Sequence, residues 1–310
     1  MIFIRRNFLC MFLLLPVMVF CQYDTFHNSD NNTFVNISEI LTEFKDLGTF
    51  KSESNMTIDY NFTLHTYGYL LLVNYLGEVR DIEDWKKEAL FYAFKAIGYG
   101  EEAKKMFNHE VHVQADHGDY WIPVQDQLLD YWKDELRSND LVLIYVRIHG
   151  AINTKENDKW LFVINAFNSN IPDGLWNEAL THFGKGNDVI GLRCVHKLIE
   201  LYPEDGRNYA MLAYYYAYTG NNSKDGDLMK IYFDKSDSLF IISMNLSPDY
   251  SYQYVQRAWL CFNRGDYCDA WIMIEKARKL KDKGIETDFI KDLKRKLSYD
   301  DYIKQCKNND

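Results

Sequence analysis

The stretch GDYCDA, residues 265–270, decides the fold of the C-terminal half of this chain. Its first residue, Gly265, adopts positive φ without steric cost, which suits a tight bend between two helices. Beyond the bend, Ala270 and Ile274 stand one helical turn apart, as in the apolar stripe of a packed helix. The stretch therefore predicts a helical hairpin over residues 251–284.

Two earlier segments share this frame. Residues 172–205 are 34 residues long, as are residues 251–284, and residues 206–250 have the same start and end but 11 extra residues. Each segment carries a small residue in its first half and a glycine at the expected bend, and these are Ala179, Ala213 and Ala258 with Gly186, Gly220 and Gly265. Prolines follow the second helix twice, at Pro203 and Pro248. The extra residues, from Asn221 to about Lys230, are predicted as a tolerated loop insertion after the bend.

This frame resembles the tetratricopeptide repeat family, whose unit is a helical hairpin with small residues where the helices cross, a glycine-type bend and a terminal proline. The resemblance implies an all-α array of three stacked repeats over residues 172–205, 206–250 and 251–284, because no hairpin buries its apolar face alone. The amphipathic segment at residues 285–305 is then predicted to be a capping helix, which closes an array that spans residues 172–305.

In that family, the first helix of each hairpin lines a concave groove that holds peptides. Transferred position by position, the groove candidates are Trp176, Phe183, Arg207, Tyr214, Tyr218, Tyr252, Trp259, Phe262 and Asn263. Exposed aromatic clusters mark recognition sites, but an aromatic stripe at helical spacing is more often core. Two possibilities remain: the groove is accessible to a ligand, or the N-terminal domain or the capping helix covers it. Glu178 and Arg257 depart from the pattern, because the family has large apolar residues there.

Residues 36–168 are predicted to form an α+β domain whose family the sequence does not identify. Alternating apolar residues predict strands at residues 111–113, 141–148 and 160–167, with a turn at residues 153–158. Apolar residues at helical spacing predict helices at residues 81–97, 101–107 and 127–136. The aromatic stretch at residues 120–125 is interpreted as a loop that plugs the sheet or as a contact with the repeats, and core packing is the favoured role.

The first 21 residues have the layout of a secretory signal, with Arg5 and Arg6 ahead of a short apolar run. Cleavage after Cys21 would leave a flexible lead-in at residues 22–35; a lipid on Cys21 or a retained anchor is the alternative. The expected location is the periplasm, the outer envelope or the extracellular space. That environment permits disulfides, yet the remaining cysteines are interpreted as apolar core residues, and they are Cys194, Cys261, Cys268 and Cys306.

The net charge of −10 disfavours nucleic acid as a partner. Histidines and carboxylates cluster at His109, Glu110, His112, Asp116, His117 and Asp119. His109 and His112 are three residues apart on a predicted strand, whereas the helical zinc motif places two histidines four apart. We therefore predict no catalytic residue, metal or cofactor. The expected function is an exported interaction or scaffold protein of the cell envelope with a protein or peptide partner. The alternative is a metal-dependent hydrolase in residues 36–168, with the repeats as a targeting arm.

Overall fold

A computed structural model describes residues 33–34, 37, 60–61, 68–95, 100–115, 118–154, 157–280 and 287–307. The predicted signal at residues 1–21 and most of the predicted lead-in lie outside the described residues. The chain forms two compact units, Met1–Ile190 and Gly191–Asp310. The division falls inside a helix of the first predicted repeat, rather than between residues 168 and 172.

The first unit is an α+β structure. Its described strands are β1 (Thr33–Phe34), β2 (Tyr60–Asn61), β3 (Gly68–Asp81), β4 (His109–Ala115), β5 (Gly118–Val124), β6 (Leu141–Thr154) and β7 (Asn157–Asn168). Its described helices are α1 (Asp84–Lys95), α2 (Gly100–Met106), α3 (Asp126–Glu135) and α4 (Ile171–Gly184). The strands and helices predicted between residues 81 and 168 are thus present, and α1 begins later than predicted because Asp81 still belongs to β3.

Five strands of this unit close into a ring. The order is β3, β4, β5, β7 and β6, and β6 pairs back onto β3; β5 and β7 are parallel, and the other pairs are antiparallel. Strand β3 serves two partners because it is long: Gly68 to Asn74 pair with β6, and later residues pair with β4. A bulge between Tyr75 and Val79 contains Gly77, whose φ of 88° favours glycine.

Alternate positions of the ring strands fill its interior. These buried side chains include Leu71, Val73, Val111, Val113, Ile122, Val124, Val142, Ile144, Val146 and Ile164. Trp132 of α3 is fully buried in the same cluster and meets the Tyr75 ring edge-on at 5.4 Å between centroids. On the other face of β7, Leu161 and Val163 pack with Phe107 and the apolar side of α1. The period-two pattern of the sequence therefore separates two apolar layers.

Two predictions for this unit need correction. Residues 120–125 are not a loop, because residues up to Val124 form β5, which pairs with β4 along its whole length. Their predicted core packing is confirmed, since Ile122 and Val124 are buried. Part of the predicted lead-in is a strand, since Thr33 and Phe34 pair in parallel with β3. The pairing of β1 depends on a strand more than 30 residues away in the chain, whereas β5 directly follows its partner β4.

Helix α4 should open the repeat array according to the sequence frame, yet it packs on the sheet of the first unit. An added Cβ at Gly174 would stand 2.6 Å from Leu143 Cδ1, so a larger residue would require the Leu143 side chain of β6 to move. The Tyr145 hydroxyl of β6 donates a hydrogen bond of 3.0 Å to Glu178 Oε1, and both side chains are buried. This bond explains why Glu178 stands where the repeat family has an apolar residue.

The second unit is helical. Its elements are the greater part of α5 (Asp188–Leu201), then α6 (Gly206–Asn222), α7 (Gly226–Leu246), α8 (Ser251–Arg264), α9 (Tyr267–Lys279), α10 (Thr287–Lys296), α11 (Tyr299–Tyr302) and a π-helical turn at Ile303–Lys307. Helices α6 and α7 form one hairpin, and α8 and α9 form the next. The amide of Asn208 bonds the carbonyl oxygens of Leu198 and Tyr202, each at 3.3 Å, and so ties α6 to the end of α5.

Most features of the repeat frame are confirmed. Ala213 and Ala258 are fully buried, and the bends at Gly186 and Gly265 have φ of 75° and 85°. Gly220 is not a bend, because it lies within α6, where an added Cβ would stand 2.8 Å from the Phe233 ring. The predicted loop insertion is wrong for the same reason: the extra residues lengthen α6 and α7 and leave a short connection before Gly226.

The C-terminal segment caps the last hairpin, although not as one helix. Helix α10 ends at Lys296, and Ser298 then caps α11 by accepting a hydrogen bond of 3.1 Å from the Asp301 amide. Phe289 and Leu293 of α10 and Tyr302 of α11 are buried against α8 and α9. Trp271 of α9, fully buried, donates its indole N–H to the Leu297 carbonyl at 2.9 Å.

The favoured interpretation of the cysteines is half right. Cys194 and Cys261 are buried core residues, and burial raises the pKa of Cys261 to about 12, which makes its thiol unreactive at neutral pH. Cys268 and Cys306, in contrast, form a disulfide between the first turn of α9 and the π-helical turn, with their Cα atoms 5.9 Å apart. Spacing alone does not reveal this pair, because the chain must first fold back over α9.

Candidate functional site

Three predicted groove residues lie along one side of α6. Tyr214 and Tyr218 stand one turn apart, with 42% and 61% of their surface exposed. Arg207 lies two turns before Tyr214 on the same side, and its Nε and Nη2 bond the Asp205 carboxylate at 2.9 Å and 2.5 Å. These hydrogen bonds from Arg207 hold the pKa of Asp205 below its usual range. The side therefore combines a fixed guanidinium at its start with two solvent-exposed phenols.

The predicted groove residues of α8 fall into two groups. Tyr252 is 44% exposed and Asn263 is also exposed. Trp259 and Phe262, however, pack against Phe289 of the cap, at 4.1 Å and 5.6 Å between ring centroids. The capping segment thus covers the aromatic part of α8, which was one of the two outcomes left open. The exposed α6 residues Arg207, Tyr214 and Tyr218 are called the tyrosine face below.

The two remaining candidates are Trp176 and Phe183. Both belong to α4, which lies in the first unit, and both are half-buried. The structure therefore places them in a different unit from the tyrosine face. The sequence frame did not separate them because α4 keeps the repeat's small residue, the fully buried Ala179.

Arg257 of α8 is the second departure from the repeat pattern. Its Nε donates a hydrogen bond of 2.8 Å to Asp237 of α7, and its Nη1 lies 3.9 Å from the sulfur atoms of Met244 and Met273. The ion pair joins the two hairpins where the family has apolar contact. The acidic Asp237, on the neighbouring hairpin, is the sequence signal that could have indicated this pair.

A charged cluster lies between β3, β4 and α1 in the first unit. Glu110 is fully buried, and its carboxylate accepts hydrogen bonds from Arg80 Nε at 2.5 Å and from Lys86 Nζ. Lys86, also buried, donates to the Trp121 carbonyl at 2.8 Å. The Arg80 guanidinium also lies 4.2 Å from the centroid of the Trp121 ring. Each of the three charged groups, on Arg80, Lys86 and Glu110, has an opposite charge as its partner. This arrangement suits stability rather than proton transfer.

The histidines of the alternative hydrolase site are engaged separately. His112 stacks on Trp121 at 4.4 Å between ring centroids, and its Nδ1 lies 3.2 Å from Glu78. His109 Nδ1 lies 2.9 Å from Asp126 Oδ1. Burial raises the pKa of Asp126, but hydrogen bonds from Asn108 and His109 outweigh it and hold the pKa below its usual range.

The described parts of the chain contain no group of three His, Cys, Asp or Glu residues that could hold a metal ion. Asp116 and His117 of the candidate cluster lie outside those parts. None of the described geometry supports the alternative of a metal-dependent hydrolase. Across the same described ranges, none of the helices has the length and apolar content needed to cross a bilayer.

Comparison with solved structures finds similarity to tetratricopeptide repeat proteins. A thermophilic tetratricopeptide repeat protein from Thermus thermophilus is 20% identical to this chain, with a TM-score of 0.39. The match covers 44% of this chain and 72% of that protein's chain. The TPR2B domain of yeast Sti1, solved in a complex with pHsp70, is 16% identical and covers 44% of this chain and 98% of its own, with a TM-score of 0.31. No protein-family model and no curated protein sequence matches the chain. The tetratricopeptide-like character of the second unit stands on its hairpins, the buried Ala213 and Ala258, and the glycine bend at Gly265.

Proposed function

We propose that this chain is an exported protein-interaction or scaffold protein of the cell envelope, which binds a protein or peptide partner through its tetratricopeptide-like helices. The observation that carries the proposal is the tyrosine face on α6. Tyrosine and arginine are enriched among residues that dominate binding energy, because they offer a large contact area together with polar ends.

The tyrosine face has the properties of a surface kept for a partner. Tyr214 and Tyr218 lie on the first helix of their hairpin, the position that lines the groove in the resembled family. Both are exposed although the neighbouring Ala213 is fully buried, so packing of the hairpin does not require their rings. Arg207 adds a cation whose position is fixed by Asp205, which reduces the entropy lost when a partner binds it.

Export is supported by two observations that come from opposite ends of the chain. The N-terminal residues have the layout of a secretory signal, as described above. The Cys268–Cys306 disulfide belongs to a type of crosslink that persists in oxidising compartments and is rare in the cytosol.

The partner-binding proposal predicts the effect of a double substitution. Tyr214→Ala with Tyr218→Ala is expected to lower the amount of partner that the tagged full chain captures from native envelope by roughly tenfold or more, because each buried interface tyrosine contributes about 2 kcal/mol. Quantitative mass spectrometry of the captured proteins provides the measurement. Tyr131→Ala is the matched control, since Tyr131 is 56% exposed on α3. Equal capture by the wild-type chain and the double variant would contradict the proposal.

Export is tested by the mass of the mature chain. Expression of the full sequence in a bacterial host is expected to give a secreted product whose first residue is Gln22, because the signal layout places cleavage after Cys21. Intact mass spectrometry distinguishes this product from one with a diacylated Cys21. A cytoplasmic product that retains Met1 would exclude export in that host.

A further inference from the structure

Helix α7 carries an apolar surface that its hairpin does not use. Five large aliphatic side chains on this helix are 37–49% exposed, and they are Leu228, Met229, Ile231, Ile241 and Ile242. The solvent side of a surface helix is normally polar, because exposed apolar side chains gain nothing from folding. At about 100° per residue, Leu228, Ile231 and Ile242 point within about 60° of one another, and exposed apolar surface on one side of a helix marks an interaction site.

One of these residues, Ile231, lines a groove between α6 and α7. This α7 groove has a volume of about 610 Å³ and is lined by Leu212, Tyr216, Ile231, Asp234, Lys235, Ser238 and Leu239. Tyr216 stacks on Tyr232 at 6.0 Å between ring centroids, which gives the groove an aromatic wall. At about 100° per residue, Tyr216 faces a different side of α6 from Tyr214 and Tyr218. The α7 groove is therefore separate from the tyrosine face.

The charges around the groove are unequally neutralised. Asp234 lies 3.7 Å from Arg264, and the nearby Asp237 pairs with Arg257 at 2.8 Å. Lys235 is exposed, and its Nζ lies 5.3 Å from the centroid of the Tyr216 ring. No carboxylate of the described residues lies within 4.0 Å of this ammonium. The groove thus presents one positive charge among apolar walls, while its acids already have arginine partners.

We propose that the α7 groove is a second docking site, which binds an amphipathic helical segment of a partner protein. The aliphatic side chains of this segment would occupy the space beside Ile231 and Leu239, and one of its Glu or Asp residues would pair with Lys235. An amphipathic helix presents apolar anchors at i, i+3 or i+4 and i+7, and this spacing suits a groove that runs along a helix. The exposed face that Leu228, Ile231 and Ile242 form is about 21 Å long, at about 1.5 Å per residue.

The length of this hairpin agrees with a docking role. Residues 206–250 exceed the 34-residue frame of the other repeats by 11 residues, and the additional length lies in α6 and the start of α7. Leu228, Met229 and Ile231 belong to that start. The extension thus adds exposed apolar surface of the kind that marks interaction sites.

A peptide selection tests the proposal with a defined probe. The purified full chain is used to select from phage-displayed random peptides of about 16 residues, long enough as a helix to cover the exposed face at about 1.5 Å per residue. We expect enriched peptides with aliphatic anchors at helical spacing and an acidic residue among them. Lys235→Glu should weaken the best peptide by roughly tenfold, because it replaces attraction by repulsion. When the Lys235→Glu protein is the target of the selection, the enriched peptides should carry a basic residue in place of the acidic one.

Matched variants make the result specific. Lys230→Glu introduces the same charge change on the same exposed helix but outside the groove, so it should leave affinity unchanged. Ile231→Asp should abolish peptide binding, and circular dichroism confirms that each variant remains folded. The tyrosine-face variant, Tyr214→Ala with Tyr218→Ala, should retain peptide binding.

Several results would overturn the α7 groove as a docking site for an acidic amphipathic helix. One is that no peptide is enriched. Another is that Lys230→Glu and Lys235→Glu weaken peptide binding equally. A third is that peptide binding is lost only in the tyrosine-face variant. The last result would leave the proposed function standing, because it assigns the peptide to the tyrosine face. Sedimentation velocity that shows a dimer dissociated by Ile231→Asp would also overturn it, since a second copy of the chain would then occupy the groove.

Discussion

Replacing Glu110 by alanine is expected to lower the free energy of unfolding of the first unit by about 3–5 kcal/mol. Glu110 is fully buried and is shared by Arg80 and Lys86. Removing the carboxylate leaves the buried ammonium of Lys86 with the Trp121 carbonyl, at 2.8 Å, as its hydrogen-bond acceptor. A buried charge without a counter-charge costs several kcal/mol, because water no longer solvates it and the protein offers no compensating ion.

Urea unfolding measures this loss, and hydrogen exchange assigns it to peptides from β3 and β4. Gln114→Ala on the same strand is the control, because Gln114 is exposed and its side chain bonds the neighbouring Asp119 at 3.3 Å. The combined variant Lys86→Met with Glu110→Leu is expected to recover most of the stability, since it removes both buried charges and keeps their volume. A Glu110→Ala protein as stable as the Gln114→Ala protein would show that the cluster contributes little.

The sequence predicts those parts of the fold that depend on local chemistry. A glycine beside an amphipathic run identifies the bend at Gly265, and alternation identifies β4, β6 and β7, because each signal lies within a few residues. The closed ring of the first unit is different, since it requires β5 to pair in parallel with β7 and β6 to return to β3. A single sequence contains no comparable signal for these long-range pairings.

Gly220 shows why a local pattern can also mislead. Both a bend and a close helix crossing favour glycine, the first for its positive φ and the second for its missing Cβ. At Gly265 the first reason applies, whereas at Gly220 the Phe233 ring of the facing helix explains the residue. The same ambiguity affected the candidate site, where Trp259 and Phe262 follow the groove spacing but pack against Phe289 of the cap.

Replacing Cys306 by serine is expected to lower the free energy of unfolding of the second unit by about 3–4 kcal/mol, from the entropy of closing a chain loop of this length. The disulfide joins residues 38 positions apart and fastens the last turn of the described chain to the start of α9. Glu275 of α9 holds the same segment, since it accepts hydrogen bonds of 2.7 Å from the Tyr299 hydroxyl and 3.0 Å from Lys307 Nζ. The folded cap should therefore keep its position in the Cys306→Ser protein, so the effect arises mainly in the unfolded chain, which regains its freedom.

Guanidinium unfolding with and without a dithiol reductant separates the disulfide from the substitution itself. The wild-type midpoint should fall on reduction to that of the Cys306→Ser protein, whose own midpoint should not respond to the reductant. Cys268→Ser should match Cys306→Ser, because either change removes the same crosslink. A wild-type midpoint that is equal in both conditions would mean that the crosslink adds no stability, and that the buried contacts of Phe289, Leu293 and Tyr302 hold the cap on the last hairpin by themselves.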